Sequence, residues 1–391
     1  MNLKNKNIDN ILLGILIMVC FAAFLYIFNA NVPSRINVKQ KNSSVKYEKA
    51  EVLSIEKQSL SPYPDVKGMY LGSQDLKIKI LTGEHKNEVK TVENYLSDTH
   101  NVYLTQGIKF VAEIDSTNGN YGVIVYSYNR APVQYVFIII FFAALCIVGG
   151  KKGLKSVLGL LFTFVCIIFL YIPMLYRGYS PVVASMIIVL LVTVVSLTLL
   201  NGIKAKTISA ILGTVIGTFL AGIIAFIVGQ LTHVSGLNTK DGETLSMIST
   251  QSGMQVYWLL FAGVLIAALG AAMDLSMSIA SSIQEIHQSN PDKGSKELFI
   301  SGMNVGKDMM GTMANTLILA FTGASINMLI IIYYYNVSYY QLINMDMVNV
   351  EIIQGITGSL AVILTVPIVS FISAKFMFLK VFSEKTKNTA A

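Results

Sequence analysis

The chain has little charge. Asp, Glu, Lys and Arg make up 13% of its 391 residues, whereas an ordinary soluble domain carries about 25%. Hydrophobic residues reach 53% and the mean hydropathy is +0.60, so the chain reads as an integral membrane protein. Catalytic signatures are missing as well. There is no H-E-x-x-H, no G-x-S-x-G, no G-x-G-D and no phosphate-cradling glycine loop before a lysine, so neither an enzyme nor a cofactor is expected. His85 and His100 have no partner at metal-ligand spacing, which leaves no metal site. Cys20, Cys146 and Cys166 fall inside apolar segments at no motif spacing, where they serve as small packing residues and report nothing about redox compartment.

What charge there is leans basic, with a formal net charge of +7 and a pI near 9.0. Many of the lysines sit in short loops beside apolar runs and act as topology signals. No basic segment interleaved with aromatics stands out, so no nucleic-acid partner is expected.

Eight segments are long enough to cross about 30 Å of hydrocarbon as helices: 11–28, 133–150, 154–175, 181–201, 208–231, 254–274, 310–335 and 352–374. The first is read as a retained anchor, because it is 18 residues long and no A-x-A site lies near Asn29. Lys151, Lys152, Lys155, Lys204, Lys206, Lys293, Lys296, Lys375, Lys380, Lys385 and Lys387 then fall on the side that holds the N-terminus. Both termini are therefore expected in the cytoplasm. Tyr26, Tyr135, Tyr171, Tyr176, Tyr179, Tyr257, Trp258 and Tyr333 to Tyr335 cluster at the opposite ends, as an interfacial aromatic belt does.

The expected organisation is a tail and anchor helix over 1–28, an extracytoplasmic β-rich domain over 29–132, a seven-helix membrane domain over 133–380 and a cytoplasmic tail over 381–391. Within 29–132, LKIKIL (76–81) alternates apolar and basic residues, and AEVLSIE (50–56), IKFVAEI (108–114) and YGVIVYSY (121–128) are rich in strand formers. Such short strands suggest a small OB-like or SH3-like barrel that docks or lids the membrane part. In the membrane part, Gly213, Gly217 and Gly222 read as close helix packing, and Pro173 and Pro367 as helix kinks or ends. Asn290-Pro291 and Gly294 break the helix between the sixth and seventh segments.

One short pattern occurs twice. DLSMSIASSI from Asp274 aligns with DMMGTMANTL from Asp308, sharing D-x3-[ST]-x-A-[SN]-[ST]-[IL]. Helical spacing puts Asp274, Ser278 and Ser281 on one face, and Asp308, Thr312 and Asn315 on one face of the second copy. Leu275, Ile279, Ile283 and Ile286 form the apolar opposite face of the first copy. Lys307 is a candidate counter-charge. The copies suit an inverted repeat around a polar intramembrane site, a recurrent transporter plan. Coincidence among common membrane residues and simple placement at the membrane edge are the competing explanations.

The run GAAMDLSMSIASSIQEI (270–286), with the anchor, the β-rich segment and the further spans, resembles the YibE/F-like bacterial membrane proteins, whose M-D-x3-S-I-A-x4-E-I core it carries. The resemblance implies a multi-span architecture in a bacterial cytoplasmic membrane and transfers no substrate or mechanism. The leading expectation is a secondary transporter or channel for a small ion or solute, its path lined by Asp274, Ser278, Ser281, Asp308, Thr312 and Asn315. The alternative is an interaction or assembly protein whose β domain meets an envelope protein and whose polar faces join helices within or between copies of the chain.

Overall fold

The computed structural model describes residues 21, 23–30, 45–64, 66–116 and 121–378. Most of the expected anchor, the 381–391 tail, Cys20, Lys380, Lys385 and Lys387 lie outside the described residues. The chain divides into two compact units, one of residues 37–144 and one holding the rest.

In the smaller unit the strand-forming segments become β1 (Val45–Pro62), β2 (Tyr70–Ile80), β3 (Val89–Leu96), β4 (Lys109–Asp115) and β5 (Gly122–Tyr128), paired antiparallel in the order β3-β2-β1-β4-β5. Strand β1 serves two partners, pairing β4 through Val45–Glu51 and β2 through Ala50–Pro62. Register shifts after Val52 and Ile55 mark where it bends, as bulges do, and the sheet curls into a half-barrel. The period-two pattern of β2 buries Leu76, Ile78 and Ile80, the first two in a cluster with Val52, Phe110, Ala112 and Val125, and leaves Lys77 and Lys79 facing outward.

Two buried amides hold the 102–104 loop over that core. Gln74 donates to Leu104 O at 2.9 Å and accepts from Leu104 N at 3.2 Å, while Asn94 donates to Val102 O at 2.8 Å and to Gln74 at 3.1 Å. Side chains then link the edge strands β3 and β5. Tyr121 donates its hydroxyl to Glu88, His85 stacks on the Tyr121 ring at 3.7 Å, and the Lys90 ammonium lies 4.1 Å from the same ring centroid. The Glu88 hydrogen bond pushes the Tyr121 phenol up to about 12.

The larger unit is helical. Residues 23–30 form α1, followed by α2 (Ala131–Cys166), a π turn (Ile167–Tyr171), α3 (Ile172–Tyr176), α4 (Pro181–Asn201), α5 (Ala205–Leu231), α6 (Gly242–Ser252), α7 (Leu259–Ser289), α8 (Ser295–Ala324), α9 (Ile326–Tyr334), α10 (Tyr339–Asn344) and α11 (Asp346–Phe376). Only the later part of α2 belongs to this unit. Five helical runs among the described residues are long and apolar enough to cross a membrane: 131–176, 181–201, 205–231, 256–289 and 346–376. The bent pair α8–α9 makes a sixth if it counts as one span.

The eight expected spans are thus seen as five or six among the described residues. Segments 133–150 and 154–175 run together as one helical stretch, broken at Gly150, whose φ of 52° and ψ of −129° no helix contains. The segment expected at 310–335 is instead α8 and α9, bent by 61° at Ser325. Tyr171, expected in an aromatic belt, lies buried among Leu25, Phe162 and Leu170. A wider helical turn there leaves Phe169 O to the Asn29 amide at 2.9 Å. Arg177 adds a second tie to α1, donating to Phe28 O with its guanidinium 3.7 Å from the Phe28 ring centroid.

Helices α5, α7 and α11 form the centre. Gly213 and Gly217 let α5 lie against α11, where Val369 and Thr365 occupy the space a β-carbon would need. Thr214 donates to Ser276 Oγ at 2.9 Å, a fully buried hydroxyl pair joining α5 to α7.

Candidate functional site

The two aspartate segments sit on neighbouring antiparallel helices. Helix α7 ends at Ser289, Asn290 takes an extended conformation before Pro291, and α8 begins at Ser295, with Glu297 accepting from Gly294 N at 3.1 Å. This is the break expected from the Asn-Pro and glycine signals. Residues between the helices are turn formers, so the chain reverses within five residues, 290–294.

Close contact between α7 and α8 needs glycine. A β-carbon at Gly302 would lie 2.5 Å from Ile283 Cδ1 and 2.9 Å from Ser370 Oγ, and one at Gly306 would collide with Val366 and approach Ile279 Cδ1 at 3.0 Å. The pairs Ile283–Gly302 and Ile279–Gly306 fix the register, because four residues back along α7 match four residues forward along α8. Continued, that register sets Asp274 at the level of Gly311 and Asp308 at the level of Met277. The two carboxylates therefore differ in height by about 4.5 Å, at ~1.5 Å rise per residue.

On the apolar face of α7, Leu275, Ile279 and Ile283 are fully buried and Ile286 is half-buried. The polar face points away from that core. Asp274, Asp308, Thr312 and Asn315 are exposed, and Ser278 and Ser281 are half-buried. Ser278 donates to its own helix at Asp274 O, 2.9 Å away, and Thr316 does the same to Thr312 O. Neither carboxylate, nor Lys307, makes an ion pair or a side-chain hydrogen bond among the described residues. Lys307 therefore gives no counter-charge here. Its place immediately before Asp308 turns it to another part of the helix surface.

Two features of this region were not read from the sequence. One is the α8–α9 break, whose only local signal is the small and polar run T-G-A-S-I-N (322–327) inside an apolar stretch. The other is the hydroxyl pair Thr214–Ser276, which lies on the α5-facing side of α7 and outside the repeated pattern. A chain of small polar residues in apolar helices carries no spacing that picks out which two will meet.

The family model for YibE/F-like proteins matches residues 137–378, well over half of the chain, and this match contains both aspartate segments and every helix from α3 to α11. Comparison with curated proteins and with solved structures returns no match. The chain belongs to the YibE/F-like family.

Proposed function

We propose that this protein is a secondary transporter or channel of the bacterial cytoplasmic membrane, with Asp274, Ser278, Ser281, Asp308, Thr312 and Asn315 along its polar path. The observation that carries this reading is the pair of carboxylates, without a partner among the described residues, on exposed faces of adjacent antiparallel apolar helices. A charged side chain at the bilayer centre costs about 2.5–3.5 kcal/mol on insertion scales, so lipid alone is a poor neighbour for these faces. Water in a path, together with a bound cation or proton, offsets that cost. The hydroxyls and the Asn315 amide supply neutral ligands, and no catalytic chemistry is required of them.

The lysines of the α2 break, the α4–α5 turn, the α7–α8 turn and the end of α11 support a cytoplasmic location for that end and for both termini. The β unit then lies outside, and its strand order supports an OB-like barrel open between β3 and β5. Cysteines placed singly at Ser73 and Ser289 test this orientation: in intact cells an impermeant thiol reagent is expected to label only Ser73→Cys. Labelling confined to Ser289→Cys inverts the topology.

The second reading is an assembly protein, in which the same exposed faces meet another copy of the chain and the β unit meets an envelope protein. Outward placement of Asp308, Thr312 and Asn315 favours it as much as a path does. Ser278→Cys and Thr312→Cys separate the two. A path predicts modification of both by a small hydrophilic thiol reagent in membranes. An assembly face predicts protection from the reagent and disulfide-linked dimers on oxidation.

A further inference from the structure

At the C-terminal end of α8, a cavity of about 210 Å³ opens where the helix breaks. Seventeen residues separate Asp308 from Ser325, or about 25 Å of helix, so this cavity is distinct from the aspartate path. Four stretches of chain build it: the 238–241 segment before α6, the end of α8, Met328 on α9, and the first turns of α11.

Three observations point to a ligand. First, Ser325 lines the cavity at the break, is 9% exposed, and its buried Oγ has no partner among the described residues. Irregular backbone within a span is tolerated where it is buried in protein or lines a cavity, and broken helices are a recurrent place for substrate sites. Second, the half-buried Glu351 lines the cavity and makes no ion pair or hydrogen bond among the described residues. Asp241 adds a second carboxylate. Lys240, the one cation in the lining, is exposed and lies in no ion pair with either, so the lining carries one net negative charge. Third, the floor is held in place: the Asn238 amide donates to Asp346 at 2.8 Å while its oxygen accepts from Ser235 N at 2.8 Å.

The walls decide which cation fits. Ala324, Met328, Met347 and Val350 give the cavity an apolar side, which suits a hydrocarbon body and offers nothing to a bare metal ion. The volume falls below the ~300–1,000 Å³ of pockets for drug-sized ligands. We infer that this cavity binds a small organic ammonium ion, its charge held by Glu351 and Asp241, its N–H groups reaching Ser325 and Gln354, and its carbon chain against the methionines.

Binding is tested on the full-length protein in detergent, by saturation-transfer NMR with n-butylammonium as the probe and protein-free micelles as the blank. The expected result is saturable binding that weakens about tenfold or more in Glu351→Gln, since a charge-assisted hydrogen bond is lost. Ser325→Ala, which removes one hydroxyl and keeps the fold, weakens it by a smaller factor. Equimolar sodium or butyrate leaves it unchanged. The inference is overturned by absence of saturable binding to the wild type, by unchanged affinity in both variants, or by displacement with equimolar sodium. Binding does not depend on flux through the Asp274–Asp308 path, so failure of either idea is seen separately.

Discussion

Asp274→Asn and Asp308→Asn are each expected to reduce flux through the reconstituted protein by about tenfold or more, while the amount inserted in the membrane stays at the wild-type level. Asparagine keeps the size of aspartate and loses only its charge, so a defect that follows charge alone separates a path from packing. Both side chains are exposed and bind nothing in the described structure, so neither replacement removes a contact that holds the helices together. Their proposed place along one path further predicts that the double variant is no worse than either single one, as expected when two groups act on one bound ion. Full activity in both single variants would leave simple edge placement as the explanation for the carboxylates.

Gly217→Leu carries the largest expected effect on the fold. At this position even a β-carbon would collide with Thr365 Oγ1 and sit 3.1 Å from Thr365 Cα, which is backbone and cannot rotate away. Overpacking a core costs typically about 1–3 kcal/mol, and a backbone contact moves this site toward the high end. The α5–α11 contact lies at the centre of the unit, so the purified variant is expected to aggregate in detergent or to melt well below the wild type. Gly263→Leu is the matched control. It also lies in a central helix, α7, but nothing comes within 4 Å of an added β-carbon there, and size-exclusion profile and melting temperature are expected to stay near wild type. Equal behaviour of the two variants would show that α5 and α11 do not approach as described.

Much of this architecture is legible in the residues themselves. Long apolar runs need no partner to declare a span, because hydrocarbon thickness sets their length. The alternation Leu76, Lys77, Ile78, Lys79, Ile80 declares a half-buried strand for an equally local reason: successive side chains point to opposite faces. Asn290-Pro291 declares a helix break through sterics within one dipeptide.

What stayed hidden depends on contacts between distant segments. The bend at Ser325 has no proline to force it, and Gly323 within the run breaks no helix by itself. Tyr171 looks like a belt residue until α1 is seen to cover it through Leu25 and Phe28. The residues opposite Asp274 on α7 lie inward as read, with Leu275, Ile279 and Ile283 fully buried. The repeated aspartate pattern does not say that the polar faces turn away from the bundle, since helical periodicity fixes which residues share a face and leaves open what that face meets.

Flux itself is the most direct measurement. The purified wild-type protein is placed in liposomes, and proton, sodium and potassium movement is followed after imposing a gradient of each in turn. A polar path through α7 and α8 predicts movement of at least one of these ions above that of protein-free liposomes, lost in Asp274→Asn. Protein that inserts and stays folded, yet moves none of the three above the protein-free rate, would contradict an ion path lined by these carboxylates.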